Sequence, residues 1–289
     1  MMRLGLWLMR LLAPLPLPWL RALGAGLGRL LFVLARSRRH IALTNLRLCF
    51  PDWSEAEREA LARRNFIYFC QALLDRAWLW HGKTELLRQR VRVHGALHEF
   101  QRDSGVVVFA PHFYGLDIGG SAIMAQMDRP GALVYAQQPD PVLDDWMRRG
   151  RERFGQVRAY SRAEGMKPVV RALREKVLLY LLPDMDLGPE ESVFVPFFGV
   201  PTATVPSVSR LARLGRAPVV TVLTRLTPTG YDTEVLPAWT HYPTDDVVAD
   251  TAEMNRRLEG YIATMPDQYY WVHKRFKTRP PGEKSVYSP

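Results

Sequence analysis

The first acidic residue of this 289-residue chain is Asp52. Before it stand Arg3, Arg10, Arg21, Arg29, Arg36, Arg38, Arg39 and Arg47 and no lysine, so +8 of the net charge of +10 sits in that segment and only +2 is left for the rest. Cysteine is nearly absent: Cys49 and Cys70 form no CxxC pair and follow no metal-ligand spacing, which excludes a disulfide scaffold, indicates no zinc site and suits a reducing compartment. No uncharged apolar run reaches the ~20 residues of an ordinary membrane span. A GxSxG nucleophile elbow is missing too, which argues against a serine hydrolase of the α/β type. There is no internal repeat and no low-complexity linker.

What the amino-terminal 40 residues do contain is leucine, tryptophan and arginine. Their apolar side chains suit the acyl boundary of a bilayer, with arginines reaching anionic lipid phosphates, and Pro14, Pro16 and Pro18 divide the segment into two pieces. It reads as interfacial rather than cleanly spanning. Arg36, Arg38 and Arg39 would face the cytoplasm under the positive-inside rule. A cleaved signal peptide fits less well, because no small-x-small site follows the apolar part. Nucleic-acid binding fits less well still, because the arginines interleave with leucines and not with polar residues and stacking aromatics.

The remaining length buries a substantial core. At 47% apolar and 24% charged residues, composition is that of a globular protein. Ser54 with Glu57 three residues on, before an apolar stripe through Leu61, Phe66, Phe69 and Leu73, predicts a helix from Ser54 to His81. Strands are predicted at 106–110, 132–136, 177–182 and 219–223, and helices after Asp117 and at 168–174, 205–214 and 247–265. The alternation is that of an α/β sheet covered by helices. We divide the chain into a membrane-associated segment, 1–40, and one α/β domain, 41–289.

Within that domain the run VVVFAPHFYGLD presents His112 at the carboxyl end of a buried strand, where open α/β sheets place their ligand sites. Asp117 follows five positions later. Five helical residues rotate a side chain by roughly 140°, so the two could not meet on one helical face but could meet across a strand-turn-helix corner, with Gly115 allowing the turn. A carboxylate bonded to one imidazole nitrogen fixes the tautomer and frees the other nitrogen as a base. Asp117 as a helix N-cap and His112 as a hydrogen-bonded core residue fit the same spacing.

A second strand, KVLLYLLPDMDLG, ends in Asp184 and Asp186, which fit a polar substrate or a solvated turn; without a third ligand at regular spacing they support a metal weakly. The helix after SVFVPFFGVPTATVPS carries Arg210. In DQYYWVHKRFKTRPPGE, His273 and Arg275 lie in a basic and aromatic run that suits phosphate or carboxylate recognition, and a solvated tail fits the same residues.

Taken in order, TNLRLCFPDWSEAE, APHFYGLD, SRAEGMKPVVRAL, LLPDMDLG, SVFVPFFGVPTAT and WVHKRFKTRPPGE resemble the late acyltransferases of lipid A biosynthesis, within the lysophospholipid acyltransferase superfamily. Glycerolipid members commonly read NHxxxxD with an EGTR-like block. This chain has Pro111 before the histidine and DMDLG in the later block, which favours the lipid A branch.

The resemblance implies a glycerol-3-phosphate acyltransferase-like α/β fold, with a central mixed sheet flanked by helices and an amino-terminal membrane-associated helical segment. It implies His112 and Asp117 as the Hxxxx(D/E) catalytic pair. It also points to Arg162, in YSRAEGM, as a substrate contact, beside the candidates Asp184, Asp186, Arg210, His273 and Arg275. The implied reaction needs no metal or cofactor. It moves a lauroyl- or myristoyl-class acyl group from acyl carrier protein to a hydroxyl of a Kdo-bearing lipid A precursor, at the cytoplasmic face of the inner membrane. Partners are then acyl carrier protein, the precursor and membrane lipids, and no nucleic acid. An acyltransferase for an ornithine lipid or a glycerophospholipid is the rival within enzymes. A noncatalytic membrane-binding protein with the same fold is the rival outside them.

Overall fold

The computed structural model describes residues 2–287; Met1, Ser288 and Pro289, at the outer ends of the two expected segments, lie outside the described residues. The proline cluster separates α1 (Met2–Leu12) from α2 (Leu17–Leu34), and Pro18 sits in the first turn of α2, where a missing N–H leaves no bond unmade. Next come α3 (Arg36–Cys49) and α4 (Glu55–His81). Residue 40, where the sequence suggested a boundary, falls inside α3. The start of α4 is set by a capping box: the Ser54 hydroxyl accepts the Glu57 amide at 3.3 Å, and Glu57 Oε2 accepts the Ser54 amide at 2.7 Å.

The α/β part runs α5 (Glu85–Arg90), β1 (Val91–Gly95), β2 (Val106–Phe109), α6 (Leu116–Met124), β3 (Gly131–Tyr135), α7 (Pro141–Arg151) and β4 (Val157–Ser161). It continues through α8 (Lys167–Arg174), β5 (Leu178–Leu181), β6 (Val193–Phe197), β7 (Val200–Thr204), α9 (Ser207–Gly215), β8 (Val219–Thr227), β9 (Gly230–Val235) and α10 (Val247–Thr264). The strands β1, β4, β6, β7 and β9 and the helices α5 and α7 lie outside the elements expected above. VRVHG, VRAYS and GYDTEV carry a polar or charged residue at nearly every second place, which marks strands half covered at or near a sheet edge and weakens their apolar signal.

Seven strands form one mixed sheet in the order β1-β9-β8-β2-β5-β3-β4, parallel throughout except for the antiparallel pair β8–β9; β6 and β7 form a separate hairpin. Helices cover both faces. Successive residues of β2 point to opposite sides and all are buried: Val107 and Phe109 join a core with Val208, Leu211 and Leu258 from α9 and α10, while Val106 and Val108 pack with Ile123 and Met124 from α6.

Gly115 has an ordinary φ of −79°, so its role is not a turn that other residues could not make. It lets α6 press on β8. A Cβ at Gly119 would fall 1.8 Å from Thr224 Oγ1, and one at Gly115 would fall 2.7 Å from Thr224 Cγ2. The close approach sets where α6 begins, and with it the corner that carries His112.

The carboxyl-terminal run is not a loose tail. Asn45 on α3 donates to the carbonyls of Trp271 and His273 at 2.7 and 2.8 Å, and Asn65 on α4 donates to those of Asp267 and Tyr269 at 2.9 and 2.6 Å. Tyr269 then forms an antiparallel bridge with Phe113, and the Tyr114 amide donates to the Gln268 carbonyl at 3.1 Å. Two buried asparagines thus fasten this segment against the His112 corner, where it closes one side of the site.

Candidate active site

In the parallel pair β2–β5, Phe109 is the register partner of Leu181. Each strand continues through a proline, and three residues beyond each partner stand His112 and Asp184. The register delivers them to each other. Asp184 Oδ1 lies 2.6 Å from His112 Nδ1, and Asp184 Oδ2 accepts the His112 amide at 2.9 Å. The carboxylate therefore holds both the ring and its backbone. Burial works to raise the Asp184 carboxyl, but His112 and the charge of Arg275 outweigh it and hold it down at about 2.

An ionised Asp184 accepting at Nδ1 requires the proton there and leaves Nε2 with its lone pair. Among the described residues Nε2 has no protein hydrogen-bond partner, and the ring, 21% exposed, lines a cavity of about 470 Å³. Tyr270 lies alongside it, ring centres 6.1 Å apart and planes at 27°.

Asp117 shares this cavity but does not orient His112. It sits in the first turn of α6 and makes no N-cap bond. Its Oδ2 accepts from Arg76 of α4 at 2.7 and 3.1 Å, and its Oδ1 accepts from Arg151 of α7 at 3.0 Å. Burial works to raise this carboxyl as well, and the two guanidiniums outweigh it and hold it well below the usual carboxylate range. The orienting contact expected of Asp117 belongs in the structure to Asp184. The physical reason is direction: the turn 113–116 places the Asp117 side chain toward α4 and α7, whereas Asp184 comes from the strand beside β2.

Arg76, Arg151 and Arg162 all line the cavity, so among the described residues one carboxylate faces three guanidiniums there and positive charge is in excess. Such a surface favours an anion or an oxygen on which negative charge develops. Nothing in the sequence distinguishes Arg76 and Arg151 among its 39 lysines and arginines. Arg162, at the end of β4, makes no side-chain hydrogen bond among the described residues and remains a candidate contact. Away from this charged mouth the lining is apolar, with Met124, Leu133, Val134, Val157 and Leu182 beside the small Gly120 and Gly131. Along β3 the lining runs from Gly131 to Tyr135, a depth of roughly 13 Å at the usual rise per strand residue.

The other predicted contacts do not reach the cavity. Asp186, 5% exposed, accepts from the Gly188 amide and from the Thr278 amide and hydroxyl, tying the carboxyl-terminal run to the loop after β5. Arg275, 2% exposed, donates to the Ala203 carbonyl and the Thr204 hydroxyl, both at 2.8 Å, and lies over the Phe197 ring. Arg210 is exposed on α9, on the sheet face opposite α6. His273 accepts the Asp186 amide at Nε2, 3.1 Å away.

Burial, joined by the nearby His112 and Arg275, pushes the His273 imidazole down to about 4. An unfolded histidine binds its proton near 6.5, so between about 6.5 and 4 the unfolded state holds the extra proton and stability falls as pH falls, by up to about 3 kcal/mol. We expect His273→Gln to flatten that slope when thermal midpoints in detergent are followed from pH 7.5 to 4.5. Equal slopes in the two proteins would assign the loss to another group.

The family profile described as "Bacterial lipid A biosynthesis acyltransferase" matches residues 1–278. The lipid A biosynthesis lauroyltransferase of Escherichia coli K12 is 34% identical over 293 aligned residues, covering 98% of this chain and 94% of that protein. The lipid A biosynthesis myristoyltransferase of the same organism is 37% identical over 273, covering 91% and 82%. Its palmitoleoyltransferase is 33% identical over 290, covering 98% and 93%.

Proposed function

The chain belongs to the bacterial lipid A biosynthesis acyltransferases, and from that premise we propose that it moves a lauroyl- or myristoyl-class acyl group from acyl carrier protein to a hydroxyl of a Kdo-bearing lipid A precursor. The observation that carries this reading is the His112–Asp184 pair with Nε2 free at the mouth of an apolar cavity. We read the scaffold as glycerol-3-phosphate acyltransferase-like, since it presents its histidine at a strand end.

An alcohol is too weak an acid to attack a thioester unaided at neutral pH, and a positioned base contributes roughly 10² to 10⁴ in rate. His112 Nε2 takes the hydroxyl proton as the oxygen bonds to the thioester carbon. Asp184 balances the imidazolium that forms. The carbon–sulfur bond then breaks, and the imidazolium returns the proton to the departing thiolate, giving an ester and a thiol without a covalent acyl-enzyme.

Negative charge developing on the carbonyl oxygen is met by the cavity's arginines, with Arg76 and Arg151 held in place by Asp117. The acyl chain occupies the apolar part of the cavity. Acyl carrier protein, acidic as a class, is steered by the basic surface at the cavity mouth, where Arg76, Arg151 and Arg162 lie. The arginine-rich helices α1 and α2 attach the enzyme to the cytoplasmic face of the inner membrane.

The test offers purified protein acyl carrier proteins loaded with C12, C14 or C16 chains, together with the defined precursor, and reads products by mass. One added acyl group with matching loss of thioester is expected. No thioester consumption would favour a noncatalytic membrane protein, and acylation of an ornithine lipid or a glycerophospholipid alone would move the assignment to another acceptor.

A further inference from the structure

Helix α2 is long and apolar enough to cross a bilayer, 18 residues with a rise of roughly 27 Å. Its packing points elsewhere. The face made by Leu17, Leu20, Arg21, Gly24, Gly28 and Phe32 is buried in the protein. Gly24 and Gly28 bring α2 against α4 backbone to backbone: a Cβ on them would fall 2.8 Å from Gln71 Cα and 2.5 Å from Ile67 Cα.

Between these contacts Arg21, 8% exposed, points into the core. Its Nη2 lies 3.2 Å from Asp75 Oδ2 and donates to the Gly230 carbonyl at 3.2 Å, and its guanidinium sits 5.0 Å from the Tyr231 ring centre. Asp75, fully buried on α4, also accepts from Trp78 Nε1 and the Tyr231 hydroxyl. Pulling α2 away from α4 to cross a membrane would strip a buried carboxylate of the cation it faces. Carrying α4 along would drag Asn65 and the cavity wall with it.

The opposite faces of α1 and α2 are bare. Among the described residues, ten of the sixteen exposed large apolar side chains lie in the first 34 positions, including Trp7, Leu8, Trp19, Leu30 and Leu34. A patch of this kind on one side of a folded domain marks an interaction surface. Its charge states the partner: exposed Arg3, Arg10, Arg29 and Arg36 border it, and the segment has no acid. Apolar side chains with tryptophan, rimmed by arginine alone, fit a leaflet of anionic lipid.

The geometry points to a monotopic attachment, and we infer that α1 and α2 lie in the cytoplasmic leaflet with both chain ends on the same side of the membrane. Phe69, Ala72 and Arg76 of α4 line the cavity while Ile67, Gln71 and Asp75 of the same helix hold α2. One helix thus joins the lipid-facing surface to the reaction cavity, so a lipid acceptor reaches His112 from the leaflet without leaving it.

This inference rests on the membrane attachment proposed above. The test uses the full chain with one epitope ahead of Met1 and another after Pro289, active in the acyl carrier protein assay, and applies protease to spheroplasts and to inverted membrane vesicles. Both epitopes should survive in intact spheroplasts and both should be lost in inverted vesicles. Loss of the amino-terminal epitope alone from spheroplasts would overturn the monotopic arrangement while leaving membrane attachment intact. Recovery of the protein in the soluble fraction would overturn both, without touching the acyl-transfer assignment.

Discussion

His112→Ala should lower acyl transfer by about 10² to 10⁴, the contribution of a positioned general base, and leave the protein folded and membrane-bound. The fold should survive because the change is small where the core is concerned. The His112 ring is partly exposed to the cavity, and alanine keeps the backbone amide that Asp184 Oδ2 accepts. Asp184 loses one partner but retains that amide and the nearby charge of Arg275. Far-ultraviolet dichroism and the thermal midpoint in detergent check the fold, and thioester consumption by the purified variant checks the chemistry. Near-normal transfer would remove His112 as the base and leave the arginine-lined cavity without an assigned proton acceptor.

How much of this site could be read in advance depended on whether a partnership was local in sequence. His112 at a strand end was legible because a short β-branched run between Gly105 and Pro111 has few other readings. Its carboxylate partner was not, because Asp117 is five residues away and Asp184 seventy-two. Between them β3 and β4 are laid down before the chain returns as β5 to pair with β2. A trace existed in the matching ends FAPH and LLPD, but only the sheet order turns two similar strand ends into neighbours.

Asp184 and Asp186 read as a pair, yet they part in the structure. The first faces His112 and the second binds Thr278, as residues two apart in an extended turn divide between surroundings. Arg275 misled for another reason. Embedded in HKRFK it has the composition of a surface, and the path that takes it over Phe197 is fixed by distant residues, Asn45 gripping the carbonyls on either side of Val272 and Asp186 holding Thr278. In the amino-terminal segment the break at the prolines was legible, since α1 ends and α2 begins around them. Arg21 still looked like its neighbours, and nothing local tells that it alone faces a buried aspartate.

Asp184→Asn should be nearly as damaging as loss of His112, lowering kcat by about 10² to 10⁴ with little change in KM. The amide is the same size and can still accept the His112 backbone N–H, so the corner should hold its shape. What changes is the proton on the ring. An amide NH₂ turned toward Nδ1 donates to it and moves the imidazole proton to Nε2, where the base is needed; the same substitution in a Ser-His-Asp triad costs about 10⁴ in kcat.

A second readout separates this from loss of structure. With its carboxyl held at about 2 against an unfolded value near 3.9, Asp184 contributes about 3 kcal/mol that is fully present above pH 3.9 and lost as pH falls toward 2. The asparagine variant should therefore lose less stability than the parent over that acid range, while remaining impaired in catalysis at neutral pH. Asp117→Asn provides the contrast. It weakens the hold on Arg76 and Arg151 but leaves Asp184 on the ring, so the tautomer is kept and the loss falls on charge stabilisation in the cavity. If Asp184→Asn transferred acyl groups at the parent rate and Asp117→Asn did not, the orienting role would return to Asp117, and the α6 corner would have to close onto His112 during turnover.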